Sequence, residues 1–312
     1  GQCVSEQQVG HGLPPLQWEP AVIAGLCSCP DPRSGGSSIN FIGIGEGNKT
    51  VKLSEFQLDQ FERDGFLILS DLFSAEEVDI IRAELPALFD GEAEANIAEK
   101  EDSAVRTIMG LHQRNAVFDR LVRHPRLVEP ARQIAGPDLY IQQVKVNVKA
   151  AFEGDVWQWH YDFATHHNDD GVPKPLALNL HILLDDVSHY NGPIYFVPGS
   201  HKLGPAPTFH DSNSTSYPLW LVDREPVAEL IAAGGIVPAI GKAGTGLIFG
   251  DILVHGSPSN MSPWNRAIFS LILNPVSNRQ TKFARPEYKH HTDFTPVTTL
   301  ADDCLHPRDA VE

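Results

Sequence analysis

The chain has 312 residues, 42% of them hydrophobic and 21% charged, a composition typical of a globular protein with one large core. Its 40 acidic residues outnumber its 24 lysines and arginines, so at a net charge of −16 neither nucleic acid nor an anionic membrane is an expected partner. Four cysteines do not form a disulfide framework, and no apolar run has the length of a transmembrane helix, so we expect a cytoplasmic protein that acts on a small molecule. The oligomeric state stays open.

The beginning of the chain is expected to be irregular. Residues 1–50 are rich in Gly, Pro and Ser and have weak hydrophobic periodicity, so we assign them to a leader. Residues 51–300 should form one domain, followed by a C-terminal tail over residues 301–312.

Helices should dominate the first part of this domain. Ser54 is a suitable N-cap for a helix that runs to about residue 64, and an apolar strand is predicted over residues 66–69. The pattern Ser-x-x-Glu at Ser74 is a capping box, which predicts a helix reaching about residue 89. A further helical stretch is expected over about residues 115–135.

The rest of the domain has the sequence pattern of β-strands. Apolar and polar residues alternate in short segments that are separated by turns such as Asn191-Gly192-Pro193. The predicted strands cover residues 139–148, 156–161, 177–184, 194–197, 245–249 and 267–273. Such a series predicts a mainly β fold with flanking helices, built on a double-stranded β-helix, the jelly roll of cupin-like proteins.

Three residues have the pattern of an iron site. His160 and Asp162 are two positions apart on a predicted strand, so their side chains should point to the same side, and His255 follows a later strand. Two histidines and one carboxylate form the facial triad that holds Fe(II) in non-haem oxygenases and leaves positions open for O2 and a co-substrate. Halogenases of this kind replace the carboxylate by a small residue, so the presence of Asp162 favours hydroxylation.

Arg266 supplies a cation that is suited to a carboxylate. It stands at the start of an apolar strand, where a buried guanidinium needs an anion to offset its desolvation. Its planar fork predicts 2-oxoglutarate as the co-substrate, and Ser257 could donate a hydroxyl to the same carboxylate. The alternative is a cupin-like protein that binds zinc or iron without 2-oxoglutarate. A metal hydrolase is less favoured, since no acidic residue beside the triad is an obvious general base.

Polar residues also alternate on the strand before the iron motif. Gln143, Lys145 and Asn147 share one face, which is either exposed to solvent or part of a polar site inside the barrel. Histidines outside the triad are expected to be mostly structural. His166 is of interest because it follows the ligand strand in a predicted loop, whereas residues 290–291, two histidines, are expected at the surface.

Several linked motifs occur in one order between about Leu53 and Pro296. They are Trp159-His160-Tyr161-Asp162-Phe163, Thr165, Asp169-Asp170-Gly171-Val172-Pro173, Asn191-Gly192-Pro193, Pro198-Gly199-Ser200-His201-Lys202, His255-Gly256-Ser257, Arg266, Arg285-Pro286-Glu287 and Asp293-Phe294-Thr295-Pro296. In this combination the chain resembles the phytanoyl-CoA dioxygenase-like superfamily, and within it the ectoine hydroxylase branch.

The resemblance implies roles for particular residues. It implies that Fe(II) is bound by His160, Asp162 and His255. It also implies that Arg266 forms a salt bridge with 2-oxoglutarate. Gln143 and Asn147 match a Gln-x-x-x-Asn pattern of these enzymes and would contact the same molecule.

Two departures from the ectoine hydroxylase pattern bear on the substrate. Lys145 stands where that branch has Arg, and His166 stands where it has Trp. Lys lacks the bidentate fork of Arg, and exchanging Trp for His removes a large apolar wall. We therefore predict that Lys145 and His166 bind a small polar metabolite, an amino acid or an ectoine-like derivative of one. Hydroxylation of an unactivated C–H bond would consume O2 and 2-oxoglutarate and release succinate and CO2.

Overall fold

The structure of the protein is a computed structural model, which describes residues 52–90, 94–100, 104–215 and 217–306. The predicted leader over residues 1–50 lies outside the described residues, as do residues 307–312 of the predicted tail. Among the described helices, none combines the length and the apolar character that crossing a bilayer requires.

Most of the helices precede the long strands, as the sequence predicts. They are α1 (Glu55–Asp64), α2 (Ala75–Ala83), α3 (Leu85–Phe89), α4 (Leu111–Arg114), α5 (Ala116–Leu121), α6 (Pro125–Ala135), α7 (Asp162–Asn168) and α8 (Arg224–Gly234). Both predicted N-caps are present. The side chains of Ser54 and Ser74 accept hydrogen bonds from the backbone N–H groups of Gln57 and Glu77, whose side chains accept one in return from the serine N–H.

Each of the two longer predicted helices is divided in two. The helix expected over residues 74–89 is interrupted at Glu84, because Pro86 cannot continue the hydrogen bonding of α2 and instead lies in the first turn of α3. The stretch expected over residues 115–135 is divided where Pro125 starts α6 and His124 serves as its N-cap.

The strands form two antiparallel sheets. They are β1 (Phe66–Leu69), β2 (Asn96–Ala98), β3 (Val105–Met109), β4 (Leu139–Lys149), β5 (Trp157–His160), β6 (Leu178–Leu183), β7 (Ile194–Phe196), β8 (Thr208–Asp211), β9 (Leu219–Val222), β10 (Val237–Ala239), β11 (Gly246–Gly250), β12 (His255–Ser257) and β13 (Arg266–Pro275). The larger sheet has the order β1-β11-β6-β13-β4-β3-β2, and the smaller has the order β10-β7-β12-β5-β9-β8.

The chain changes sheet at each step from β4 to β7 and again from β10 to β13, whereas β7 to β10 all lie in the smaller sheet. The larger sheet contains β4, β6, β11 and β13, and the smaller contains β5, β7, β10 and β12. This is the arrangement of a double-stranded β-helix, so the predicted mainly β fold with flanking helices and a jelly-roll core is confirmed.

Alternation along β4 separates an outer apolar face from an inner polar one. Val144 and Val146 belong to the core that the larger sheet forms with the helices, together with residues such as Phe118 of α5. Gln143, Lys145 and Asn147 instead line a cavity between the two sheets. The second of the two possibilities left open by the sequence, a polar site inside the barrel, is therefore correct.

Candidate active site

Three side chains with the predicted metal-binding pattern meet between the sheets. His160 is the last residue of β5, His255 is the first of β12, and the two are direct cross-strand partners. Asp162 does not share their sheet, contrary to the sequence prediction, because β5 ends at His160 and Asp162 begins α7. Its two carboxylate oxygens nevertheless lie 3.8 Å from Nε2 of His160 and 3.9 Å from Nε2 of His255.

Backbone carbonyls orient both histidines. Nδ1 of His160 lies 2.6 Å from the carbonyl oxygen of Gln158, and Nδ1 of His255 lies 2.9 Å from that of Leu253. A carbonyl only accepts, so each Nδ1 carries the hydrogen and each Nε2 keeps a lone pair for a metal. Burial, with His255 nearby, lowers the pKa of His160 to about 3, so this imidazole stays neutral at ordinary pH.

The donor set fits Fe(II). One ligand atom from each of His160, Asp162 and His255 lies within 4.8 Å of the others, and in the described residues this is the one group of its kind. Asn179 donates a hydrogen bond of 2.9 Å to Asp162 and so fixes the carboxylate. Two imidazoles and one carboxylate would hold the ion and leave positions on it open to exogenous ligands.

Arg266 lines the same cavity as the three metal-binding candidates. It is 2% exposed, and its Nε and Nη2 have no hydrogen-bond partner in the described residues. Burial, together with the nearby Arg106, lowers the pKa of Arg266 to about 9. A buried guanidinium with unused donors is unfavourable by itself and becomes favourable when an anion enters.

The other residues assigned to the co-substrate also line the cavity, each with a backbone or side-chain partner. The side-chain oxygen of Asn147 accepts a hydrogen bond of 2.9 Å from Thr107. Gln143 donates one of 2.6 Å to a backbone carbonyl, while its own oxygen is buried and has no partner among the described residues. The Ser257 hydroxyl donates to the carbonyl of Gly192 at 2.9 Å. The side-chain oxygen of Gln143 thus stays available to a ligand.

Lys145 and His166 contribute to the same cavity. Lys145 forms no ion pair in the described residues, and burial lowers its pKa, although Asp162 opposes this. His166 lies on α7 rather than in a loop, and its Nδ1 is 2.9 Å from a carboxylate oxygen of Asp251, which leaves Nε2 directed away from that pair. Burial lowers the pKa of His166, but Asp251 outweighs it and raises the pKa above its usual value.

Several residues of the site were not predicted from the sequence. Asp251 is fully buried and holds His166, and no local pattern marks it. Arg285 lines the cavity, and Asp170 accepts hydrogen bonds of 2.7 and 2.5 Å from its guanidinium. Arg285 and Asp170 belong to the motifs that carry the family resemblance, and that resemblance was the signal in the sequence that could have identified them. The rings of Trp157 and Tyr217, 5.3 Å apart, form an aromatic wall.

The prediction that residues 290–291 lie at the surface is wrong, since both histidines are 1% exposed. The C-terminal segment folds back along β4. The backbone N–H of His291 donates to the carbonyl of Gln142 at 2.9 Å, and the carbonyl of Lys289 accepts the hydrogen bond from Gln143. This return of the chain covers both histidines.

Comparison with known proteins agrees with this geometry. Residues 61–268 match the family model described as phytanoyl-CoA dioxygenase (PhyH). The chain is 40% identical over 244 residues to an ectoine dioxygenase of Bordetella parapertussis, covering 75% of this chain and 79% of the relative. It is 34% identical over 256 residues to the L-proline trans-4-hydroxylase of Streptomyces griseoviridis, covering 79% of this chain and 96% of the relative.

Solved structures show the same relationship. EctD from S. alaskensis with bound Fe has a TM-score of 0.71 at 33% identity, covering 80% of this chain and 87% of that chain. The same protein with 2-oxoglutarate and 5-hydroxyectoine has a TM-score of 0.68 at 33% identity, covering 80% of this chain and 86% of that chain. Fold and site together define an Fe(II)- and 2-oxoglutarate-dependent dioxygenase. The chain belongs to the phytanoyl-CoA dioxygenase family.

Proposed function

We propose that this dioxygenase hydroxylates an unactivated C–H bond of a small cyclic amino acid or amino-acid derivative, releasing succinate and CO2. The observation that carries the proposal is one cavity that contains the three metal-binding candidates together with Arg266 and Lys145, neither of which forms an ion pair in the described residues. Two relatives are named for ectoine and for L-proline, and both of these compounds are small rings that bear a carboxylate.

Each residue has a distinct task in this proposal. His160, Asp162 and His255 hold Fe(II), which when bound supplies the oxidising chemistry with O2 and 2-oxoglutarate. Arg266 binds the far carboxylate of 2-oxoglutarate through its planar fork, and its burial excludes water that would weaken this pair. The side-chain amide groups of Asn147 and Gln143 orient the same molecule.

Lys145 and His166 bind the carboxylate of the substrate. Lys145 has no competing ion pair in the described residues, and Asp251 favours the protonated form of His166, so both side chains present donors to an anion. Trp157 and Tyr217 would pack against the ring of the substrate. These contacts would place one face of the ring toward the metal-binding candidates.

The size of the cavity favours a small substrate. Its volume is about 710 Å³ when the open solvent at its mouth is counted, so the enclosed part that a substrate would share with 2-oxoglutarate is smaller. What is left suits a metabolite of amino-acid size better than a long acyl-CoA. A cytoplasmic location and the exclusion of nucleic acid stay predictions from composition.

The direct test is succinate release from 2-oxoglutarate in the presence of Fe(II) and a panel of free amino acids, ectoine, L-proline and their N-acyl or cyclic relatives. A substrate should stimulate release and yield a product heavier by one oxygen atom. The alternative, a cupin-like metal-binding protein without 2-oxoglutarate, is tested by adding 2-oxoglutarate to anaerobic Fe(II) protein. A weak visible charge-transfer band is expected, and its absence with iron demonstrably bound would favour the alternative.

A further inference from the structure

The wall of the cavity carries several cations and one anion. Among the described residues that line it, Asp162 is the one carboxylate, and it belongs to the three metal-binding candidates and accepts a hydrogen bond from Asn179. Lys145, Arg266 and Arg285 line the same cavity. With Fe(II) on Asp162, the described part of the wall has no carboxylate left to face a positively charged group of a substrate.

Two further carboxylates lie near the cavity but do not line it. Asp170 accepts two hydrogen bonds from the guanidinium of Arg285, and Asp251 lies 2.9 Å from Nδ1 of His166. Both acids are buried. They offset the charges of the cavity-lining side chains that they hold, and they leave Lys145 without an anion.

The aromatic wall does not replace the missing carboxylate. Trp and Tyr can bind an ammonium group over the face of the ring, but both rings of this wall already have a cation beside them. The guanidinium carbon of Arg106 lies 4.0 Å from the ring centroid of Trp157, and the ammonium nitrogen of Lys289 lies 5.6 Å from that of Tyr217. These charges would repel a second cation on the cavity side of either ring.

Gln143 offers a neutral acceptor in the same cavity. Its side-chain nitrogen donates a hydrogen bond of 2.6 Å to the carbonyl of Lys289, which fixes the orientation of the amide because a carbonyl only accepts. Its side-chain oxygen is buried and has no partner among the described residues. The 2-oxoglutarate dianion has no N–H or O–H to donate, so this oxygen is suited to an N–H group of the substrate.

We propose that the substrate is a small ring acid whose nitrogen is uncharged, with the N–H of a lactam or a similar amide, rather than a zwitterionic amino acid. Lys145 pairs with its carboxylate, and the side-chain oxygen of Gln143 accepts its N–H. An ammonium group would instead be desolvated beside cations without a carboxylate partner. The inference rests on the proposed function, since it places the substrate in the cavity that contains the metal-binding candidates.

The test compares ring acids of similar size. L-Proline has a positively charged ring nitrogen, 5-oxo-L-proline has an uncharged lactam N–H, and cyclopentanecarboxylate has no nitrogen. Affinities are measured by calorimetry on the full-length anaerobic Fe(II) protein saturated with 2-oxoglutarate, so no turnover is needed. 5-Oxo-L-proline should bind at least about tenfold more tightly than L-proline, because its nitrogen adds no charge. Cyclopentanecarboxylate should lie between them, since it has neither the charge nor the N–H.

Gln143→Leu removes the acceptor. It should weaken the binding of 5-oxo-L-proline about tenfold and change that of cyclopentanecarboxylate less than about twofold. Gln113→Leu is the matched control, because Gln113 also bonds to the C-terminal segment, through Glu287, but does not line the cavity. The comparison of ligands in the wild type decides the inference even if the Gln143 variant is unstable.

Two results would overturn the inference and leave the proposed function intact. One is a wild-type protein that binds L-proline or ectoine as tightly as 5-oxo-L-proline. The other is a folded Gln143→Leu protein with wild-type affinity for 5-oxo-L-proline. If none of these ring acids binds while 2-oxoglutarate does, both the inference and the proposed function are overturned.

Discussion

Replacing Arg266 by methionine should weaken 2-oxoglutarate binding and at the same time stabilise the ligand-free protein. The guanidinium is 2% exposed, and two of its nitrogens have no partner in the described residues. Methionine fills much of the same volume with a flexible apolar chain and leaves no buried charge. In the ligand-free protein the substitution therefore removes a buried charge that is unfavourable. In the complex it removes the partner of the 2-oxoglutarate carboxylate, which is favourable.

Both effects can be estimated. The fall in the pKa of Arg266 to about 9 corresponds to an unfavourable free energy of several kcal/mol for the buried charge. Because the packing of methionine is imperfect, we expect a gain of about 1–3 kcal/mol in the free energy of unfolding. Loss of one member of a buried charge pair should cost about 2–5 kcal/mol of binding, or about 30-fold to a few thousand-fold in Kd. Arg266→Lys keeps the charge but not the fork, so its Kd for 2-oxoglutarate should lie between those of the wild type and Arg266→Met.

The assays are urea denaturation of the ligand-free protein and anaerobic titration of the Fe(II) protein with 2-oxoglutarate. Arg63→Met is the control, because Arg63 is 59% exposed and its pair with Asp64 lies at the surface. This control should change either quantity by less than about 0.5 kcal/mol. An Arg266→Met protein with wild-type affinity for 2-oxoglutarate would refute the reasoning and place the carboxylate elsewhere.

Three further outcomes are expected. The double variant Asp162→Ala His255→Ala should lose bound iron and succinate formation, and persistent activity in the iron-dependent assay would contradict the metal site. Lys145→Met should raise the KM for the substrate about tenfold and leave substrate-free 2-oxoglutarate turnover largely intact, whereas an unchanged KM would assign specificity to other residues. Burial lowers the pKa of His124 to about 4, so the unfolded chain binds a proton that the folded chain does not, and stability should fall as the pH drops from 6.5 toward 4. The variant His124→Asn keeps an N-cap acceptor but does not titrate. Urea denaturation at several pH values should show that it reduces the slope of the free energy of unfolding against pH by about 1.4 kcal/mol per pH unit. An unchanged slope would argue against the buried neutral imidazole.

Local chemistry explains which elements the sequence could predict. The caps at Ser54 and Ser74 depend on residues three positions away, and the long alternation over residues 139–148 marks β4 almost to its ends. Short strands such as β8 and β9 were not predicted. They have four residues each. β8 pairs with β9, and β9 in turn pairs with the distant strand β5.

The candidate site was predictable in its composition but not in its geometry. The spacing of His160 and Asp162 indicated a shared ligand pair, yet the chain changes from strand to helix between them. Asp251 was not predicted because its contact with His166 joins residues from distant parts of the sequence. The burial of His290 likewise depends on the return of a polar segment over β4, which no local periodicity shows.

The C-terminal segment that folds back over β4 contributes residues to the cavity separately from the barrel strands. Arg285 and Lys289, which contact Asp170 and Gln143, lie beyond residue 268, where the match to the family model ends. Mutations in this segment can reshape the mouth of the cavity while the residues proposed to hold iron stay unchanged. A change of substrate could therefore be obtained by altering this terminal segment, without rebuilding the catalytic barrel.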